Sequence, residues 1–187
     1  MRRIETEIPG VCLIEPVVHG DHRGFFMESY NRDRFRNIGI ERDFVQDNHS
    51  RSRAGVLRGL HYQLGRPQAK LVRATRGRVY DVVVDLRRGS PTFARWVGAE
   101  LSEENRRMLF APEGFGHGFV VLSRTAEFQY KCSDFYAPDE ERGIRWDDPT
   151  IAIDWPLEGG DPILSDRDLL WPHLADAPES DFPRYQP

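Results

Sequence analysis

Short runs of period-two alternation, cut apart by turn residues, constrain this chain more than any other feature. In RVYDVVVDL (78–86), Val79, Asp81, Val83 and Asp85 fall on one face and Tyr80, Val82, Val84 and Leu86 on the other. In AEFQYKCSDFY (126–136), Phe128, Tyr130 and Cys132 share one side, and Gln129, Lys131 and Ser133 take the other. Successive side chains of a strand point to opposite faces, so such runs sort their residues cleanly only as β-structure. VCLIEPVV, KLVRAT and HGFVVL read as further short strands. RRGSP (87–91), APEGFG (111–116) and DDP (147–149) read as the turns between them. Two stretches read as helix. ESYNRDRFRNIG (28–39) has Tyr30, Phe35 and Ile38 at helical spacing, and SEENRRML (102–109) has Ser102 as its N-cap. Many short strands with regular turn signals predict a mainly β fold, a jelly-roll barrel with a few short helices.

A chain of 187 residues without an internal repeat or long linker predicts one domain over 1–187, with the proline- and acid-rich 173–187 as an extended C-terminal tail. No segment approaches the roughly 18 apolar residues that would span a membrane. The opening MRRIETEIPGVCLIEP meets a glutamate and a proline instead of an apolar run, so no secretory signal is read there. Cys12 and Cys132 form neither a disulfide framework nor a metal-ligand spacing. A reduced, cytoplasmic protein is the expectation.

A net charge of -4 argues against a general nucleic-acid binder. The arginines are nevertheless clustered, at Arg51, Arg53 and Arg58 and again at Arg73, Arg76 and Arg78. A locally basic pocket on an acidic protein suits a small anion, whereas arginines along strand edges also discourage edge pairing. GxGxxG, GxxxxGK[ST] and GxSxG are all missing, and none of the six histidines forms an HxH or HExxH pair. No metal site and no cofactor are expected. His61 in LRGLHYQ, His117 in EGFGHGF, Tyr130 in FQYKC and Lys70 at the head of KLVRA are polar groups on strand-like stretches. Taken singly, each is an ordinary structural residue. Gathered in one barrel they suit proton abstraction beside a carbonyl, with histidine as base, lysine steadying the enolate oxygen and tyrosine returning a proton.

DHRGFFMESYN (21–31), FVQDNHSRS (44–52), GVLRGLHYQ (55–63), QAKLVRATRGRVYDVVVDLRRGSPTF (68–93) and PEGFGHGFVVLS (112–123) together resemble the dTDP-4-dehydrorhamnose 3,5-epimerase family of nucleotide-sugar enzymes. The resemblance continues through AEFQYKCSDFYAPDEERGIRWDDP and IDWP to ILSDRD, from about residue 4 to 172. It implies a metal-free, cupin-type jelly roll that works as a homodimer. It also implies inversion at C3 and C5 of dTDP-4-dehydro-6-deoxy-D-glucose, on the way to dTDP-L-rhamnose. By position, His61 matches the family's proton acceptor, Tyr130 its proton donor, Asp168 the carboxylate paired with the histidine, and Lys70 the lysine near the keto oxygen. Arg23, Glu28, Gln46, Asp47, Asn48, Arg58, His117 and Glu141 match substrate-contacting positions. Arg167 matches a further substrate-contacting position, where the family often has lysine, keeping the charge but changing its geometry. Phe26 and Tyr136 are candidates for stacking on thymine.

That chemistry is self-consistent. A 4-keto group acidifies the hydrogens on both flanking carbons, so one carbonyl serves two inversions. Inversion removes a proton from one face and supplies one to the other, which demands a base and an acid on opposite sides. Strict alternation, however, puts Arg58 and His61 on opposite faces of one strand. Either Gly59 marks a bulge that resets the register, or Arg58 reaches the pocket rim from the strand's end. Two alternatives remain: an enzyme inverting C3 or C5 alone, which needs no second placed acid, and a non-catalytic nucleotide-sugar binding module, which would have lost the base or the acid.

Overall fold

The computed structural model describes residues 1–157 and 160–186. Its strands are β1 (Arg2–Glu5), β2 (Cys12–Glu15), β3 (Val18–Asp21), β4 (Gly24–Met27), β5 (Gln46–Arg53), β6 (Leu57–Gln63), β7 (Lys70–Arg76) and β8 (Arg78–Asp85). They continue as β9 (Trp96–Ser102), β10 (Met108–Ala111), β11 (Phe115–Val121), β12 (Thr125–Cys132) and β13 (Glu141–Gly143), with helices α1 (Arg32–Asn37) and α2 (Asp166–Leu170). A six-stranded sheet in the order β1-β2-β10-β7-β12-β5 faces a five-stranded sheet in the order β13-β6-β11-β8-β9. The pair β3-β4 forms a separate hairpin. The predicted mainly β, cupin-type jelly roll is what the chain forms.

Three apolar layers hold it. Val72, Ala74, Leu109 and Phe128 of the larger sheet meet Val79, Val83, Phe115 and Phe119 of the smaller one between the sheets. Behind the smaller sheet, Leu60, Val82, Val84 and Val120 pack under Ile151, Trp155, Leu174 and Phe182 from the C-terminal third. Behind the larger sheet, Ile14, Leu71 and Phe110 pack under Phe35 and Ile40 around α1. This arrangement explains the valine run of β8: its two faces feed two different cores, so both are apolar. The alternation assigned from sequence holds, with Val79 and Val83 inward and Val82 and Val84 outward.

One expectation is corrected. No helix forms over 102–109, because Ser102 is the last residue of β9, paired with Arg78. The Ser102 Oγ accepts the Asn105 backbone N–H and the Asn105 Oδ1 accepts the Ser102 N–H, each at 3.0 Å. Short polar side chains that satisfy the backbone locally compete with a helix, and here they close a turn. The C-terminal segment, expected as an extended tail, runs irregularly against the smaller sheet. Leu174 and Phe182 are buried in the outer core. The Arg88 N–H donates to the Pro183 carbonyl, and the Tyr185 N–H to that of Arg88. Apolar residues spaced among prolines suffice to lay an irregular chain on a sheet. Residue 187 of that tail lies outside the described residues. In the 28–39 stretch a helix does form, shortened to Arg32–Asn37 and capped by Asn31.

The register of β6 carries a bulge. His61 pairs with His117 and Arg58 with Phe119, so Gly59 and Leu60 together face the single residue Gly118. Gly59 has φ +134°, and a Cβ there would sit 2.5 Å from the Gly118 Cα and 2.9 Å from the His117 carbonyl oxygen. Only glycine fits at that point. The bulge turns Arg58 and His61 toward the same side.

Candidate active site

A cavity of about 540 Å³ opens between the sheets. Its lining takes Gln46, Asn48 and Ser50 from β5, Arg58 and His61 from β6, Lys70 from β7, His117 from β11 and Tyr130 from β12. Glu141 of β13, with Arg167 and Asp168 of α2, completes one wall. Ten of the thirteen residues proposed from sequence therefore converge there. His61 belongs to the five-stranded sheet and Tyr130 to the six-stranded one, so the proposed base and acid stand on facing walls.

His61 Nε2 lies 2.5 Å from Asp168 Oδ1. An ionised carboxylate only accepts, so the shared hydrogen belongs to Nε2 and leaves Nδ1 as the nitrogen free to take a proton. Asp168 itself is buried. Burial opposes its ionisation, but the hydrogen bond and charge of His61 and the Ser165 contacts hold its carboxyl below the ordinary range. Ser165 is the N-cap of α2, and its Oγ donates to Asp168 Oδ2 at 2.8 Å while accepting the Asp168 N–H at 3.2 Å. The SDRD sequence thus forms a capping box whose acidic member is also the histidine's partner. The Trp171 ring meets His61 edge-on, with centroids 6.1 Å apart.

Lys70 Nζ lies 3.5 Å from the His61 carbonyl oxygen. Burial pushes its pKa down, against the opposing charges of Cys132, Glu141 and Asp81. Burial pushes the Tyr130 phenol up, so it holds its proton more firmly than a free tyrosine. His117 Nε2 lies 2.9 Å from Asp81 Oδ2, and Asp81 is 0% exposed. Burial drives the Asp81 carboxyl upward, with His117 and Lys70 opposing. Arg58 donates to the Ser52 hydroxyl at 3.1 and 3.2 Å and, among the described residues, has no carboxylate within ion-pair distance. Its guanidinium is available to an anion.

Arg23, Glu28 and Asp47 lie outside this cavity. Arg23 forms an ion pair with Asp21 in the β3-β4 hairpin, and Glu28 pairs with Arg34. Asp47 alternates with Gln46 and Asn48, so it faces outward and pairs with Lys131. Sequence reasoning missed Asp81 and Ser165 as supports of the two histidines. An aspartate on the inward face of a valine run is the signal that would have exposed Asp81, since a buried charge needs a partner. Ser165 was visible as the cap of SDRD. Gln63 and Gln68 also line the cavity and carry no sequence signal of their own. Of the two stacking candidates, Tyr136 lines the cavity. Phe26 is 71% exposed on the hairpin.

A jelly roll enclosing a histidine–carboxylate pair opposite a half-buried phenol has the frame of an acid–base enzyme. Comparison with known proteins specifies which. The model of the dTDP-4-dehydrorhamnose 3,5-epimerase family matches residues 5–176. A protein of that name from Pseudomonas aeruginosa is 58% identical over 178 residues, covering 95% of this chain and 98% of its own. The crystal structure of a dTDP-6-deoxy-D-glucose-3,5-epimerase from Legionella pneumophila, in complex with dTDP-4-keto-L-rhamnose, superposes with a TM-score of 0.97 at 50% identity. It covers 100% of this chain and 99% of that one. A 3'-monoepimerase from Streptomyces bikiniensis, solved with dTDP-quinovose, is 39% identical with a TM-score of 0.90, covering 97% of this chain and 92% of that one. The chain belongs to the dTDP-4-dehydrorhamnose 3,5-epimerase family and is an isomerase.

Proposed function

We propose that this protein inverts C3 and C5 of dTDP-4-dehydro-6-deoxy-D-glucose, with His61 as base, Lys70 at the keto oxygen and Tyr130 as acid. The observation that carries this reading is the placement of His61, paired with Asp168 of α2, on one sheet and Tyr130 on the facing sheet of a single cavity. His61 Nδ1 takes the proton from the carbon beside the carbonyl. The electron pair moves into the enolate, whose oxygen is met by the Lys70 ammonium. Tyr130 then delivers its proton to the opposite face of the same carbon, and the configuration inverts. Exchange with solvent returns His61 and Tyr130 to their starting states for the second carbon. The imidazolium formed in between is stabilised by Asp168, as a carboxylate stabilises the histidine of a hydrolytic triad. Arg58 takes the diphosphate and Tyr136 the thymine face.

The protein acts as a cytoplasmic homodimer. The β3-β4 hairpin supports this reading, because it projects Phe25 and Phe26 at 57% and 71% exposure and holds Arg23 away from its own cavity. Aromatic residues exposed together mark a contact surface. A second copy that accepts the hairpin brings Arg23 and Glu28 to the site they do not reach within one chain. Asp47, which faces away from the cavity, acts through its neighbours on β5.

Incubating the protein with the 4-keto sugar nucleotide in deuterium oxide, and following label at C3 and C5 by NMR, tests the reading. Label at both carbons with accumulation of the L-lyxo ketosugar is expected. Label at C3 alone makes the protein a mono-epimerase, the activity named for the Streptomyces structure that it resembles at 39% identity. Label at neither carbon refutes both.

A further inference from the structure

α2 carries the carboxylate of the His61 pair, yet it has almost nothing apolar to hold it. It is five residues long, and Asp168 is its only buried residue. Leu169 and Leu170 are 50% and 81% exposed. Isolated helices shorter than about 12–15 residues are marginal in water, and helices in proteins are stabilised mainly by packing an apolar face. This one packs a carboxylate. The chain is pinned on either side of it: the Leu57 N–H donates to the Ile163 carbonyl at 3.0 Å, and the Trp171 ring lies over Gly143. Leu164 packs against the outer core, and between it and Trp171 the turn is placed by polar contacts.

Those contacts come from neighbouring residues of one turn. Asp168 reaches inward to His61, and Ser165 caps the turn. Arg145 Nη1 reaches the Leu169 carbonyl at 3.4 Å. Arg167 reaches across the mouth of the cavity, where its Nη1 meets Glu141 Oε2 at 2.5 Å and the Tyr136 hydroxyl at 3.4 Å. Tyr136 in turn donates to the same Glu141 oxygen at 2.8 Å. Glu141 stands on β13, which pairs with β6, so Gly143 lies directly beside His61. The Glu141 side chain is 12% exposed, a far firmer seat than the 53% exposed Arg167 that grips it.

We infer that Arg167 is a positioning residue: by tying α2 to Glu141 and Tyr136 at the cavity mouth, it holds the adjacent Asp168 at hydrogen-bonding distance from His61. The base and the mouth of the site are thereby one mechanical unit. Arg167 does not need to touch the sugar nucleotide for this. The inference rests on His61 and Asp168 acting as the base pair, but it is tested without relying on turnover.

The test compares the wild-type protein with Arg167→Met and Arg167→Lys, using ring 15N shifts of His61 assigned by loss of the signal in His61→Asn. In the wild type, neutral His61 shows a single tautomer with the hydrogen on Nε2. In Arg167→Met it shows a mixture of tautomers, and Arg167→Lys, which keeps a cation against Glu141, restores the single form. In steady state, Arg167→Met lowers kcat at least tenfold, beyond any weakening of dTDP binding that follows from freeing Tyr136 and Glu141. An unchanged His61 tautomer in Arg167→Met overturns the inference, whatever happens to the rate. A change confined to KM and dTDP affinity overturns it too, because that is the signature of a ligand contact. Failure of lysine to restore the tautomer likewise overturns it. Absence of label exchange in the wild-type protein would remove the epimerase reading instead, and the ring shifts would still decide this one.

Discussion

Replacing Asp168 by asparagine separates the orientation of His61 from the stabilisation of its charge. Asparagine matches the carboxylate in shape and retains an acceptor oxygen, so the cavity keeps its form. What disappears is a negative charge that matters only when the imidazole becomes imidazolium. Asp168 Oδ1 lies 2.5 Å from His61 Nε2, and its side chain is 3% exposed, so solvent screens the pair weakly. Centred about 4 Å apart in surroundings of effective dielectric about 20, the full charges attract by about 4 kcal/mol. A proton between half and fully transferred at the transition state realises about 2–4 kcal/mol of that, so the rate falls roughly 30- to 1,000-fold. Asp168 stands behind the histidine, so KM is expected to stay within about threefold, the pattern of an interaction made only in the transition state. Steady-state kinetics with the 4-keto sugar nucleotide, paired with label exchange at C3 and C5, measures both quantities. A loss of kcat below about threefold, or a loss carried by KM alone, would falsify the charge argument.

Two further outcomes follow from the interior of the barrel. Burial lowers the Lys70 pKa from its ordinary 10.5 and raises that of Tyr130 from its ordinary 10.0. The Lys70 ammonium is therefore lost at a pH below 10.5 and the Tyr130 proton at one above 10.0, and we assign the alkaline limb of kcat/KM to Lys70. Lys70→Arg should move that alkaline limb upward; Tyr130→Phe should leave its position alone while reducing turnover to product more than label exchange at C3. A limb that shifts with Tyr130→Phe and ignores Lys70→Arg would reverse the assignment. Phe128 is 1% exposed and stacks on Phe119 with centroids 4.2 Å apart. Phe128→Ala should therefore cost about 3–5 kcal/mol, lowering Tm by about 6–20 °C in a chain of this size. Calorimetry showing a loss under about 1 kcal/mol would mean the inter-sheet core collapses around the gap.

Much of the fold was legible because period-two alternation is a local property. The faces of 78–86 and 126–136 could be assigned residue by residue, and both assignments hold in the sheets. SEENRRML misled for an equally local reason: serine and asparagine at that spacing cap a helix or close a turn, and the pairing of β9 with β8 selects the turn. In the C-terminal segment, proline and acidic residues outnumber the few apolar anchors, Leu174 and Phe182, that hold it to the outer core, so its docking carried no sequence signal.

By itself, the sequence determined the kind of barrel, the set of candidate acid–base groups and the presence of a capped SDRD turn. Tertiary structure alone decided which of those groups meet. His61 and Asp168 are separated by 107 positions, and only the folding of α2 against β6 brings them to 2.5 Å. The sequence left Arg58 and His61 on opposite faces of one strand. The bulge at Gly59 turns them to the same cavity, because the Gly118 backbone approaches too closely for any Cβ there. Arg23 and Asp47 looked like site residues in the sequence and face elsewhere in the chain, because a hairpin's reach and a strand's alternation are settled by pairing. Contacts between distant segments depend on register and crossing, and no local pattern of residues encodes either.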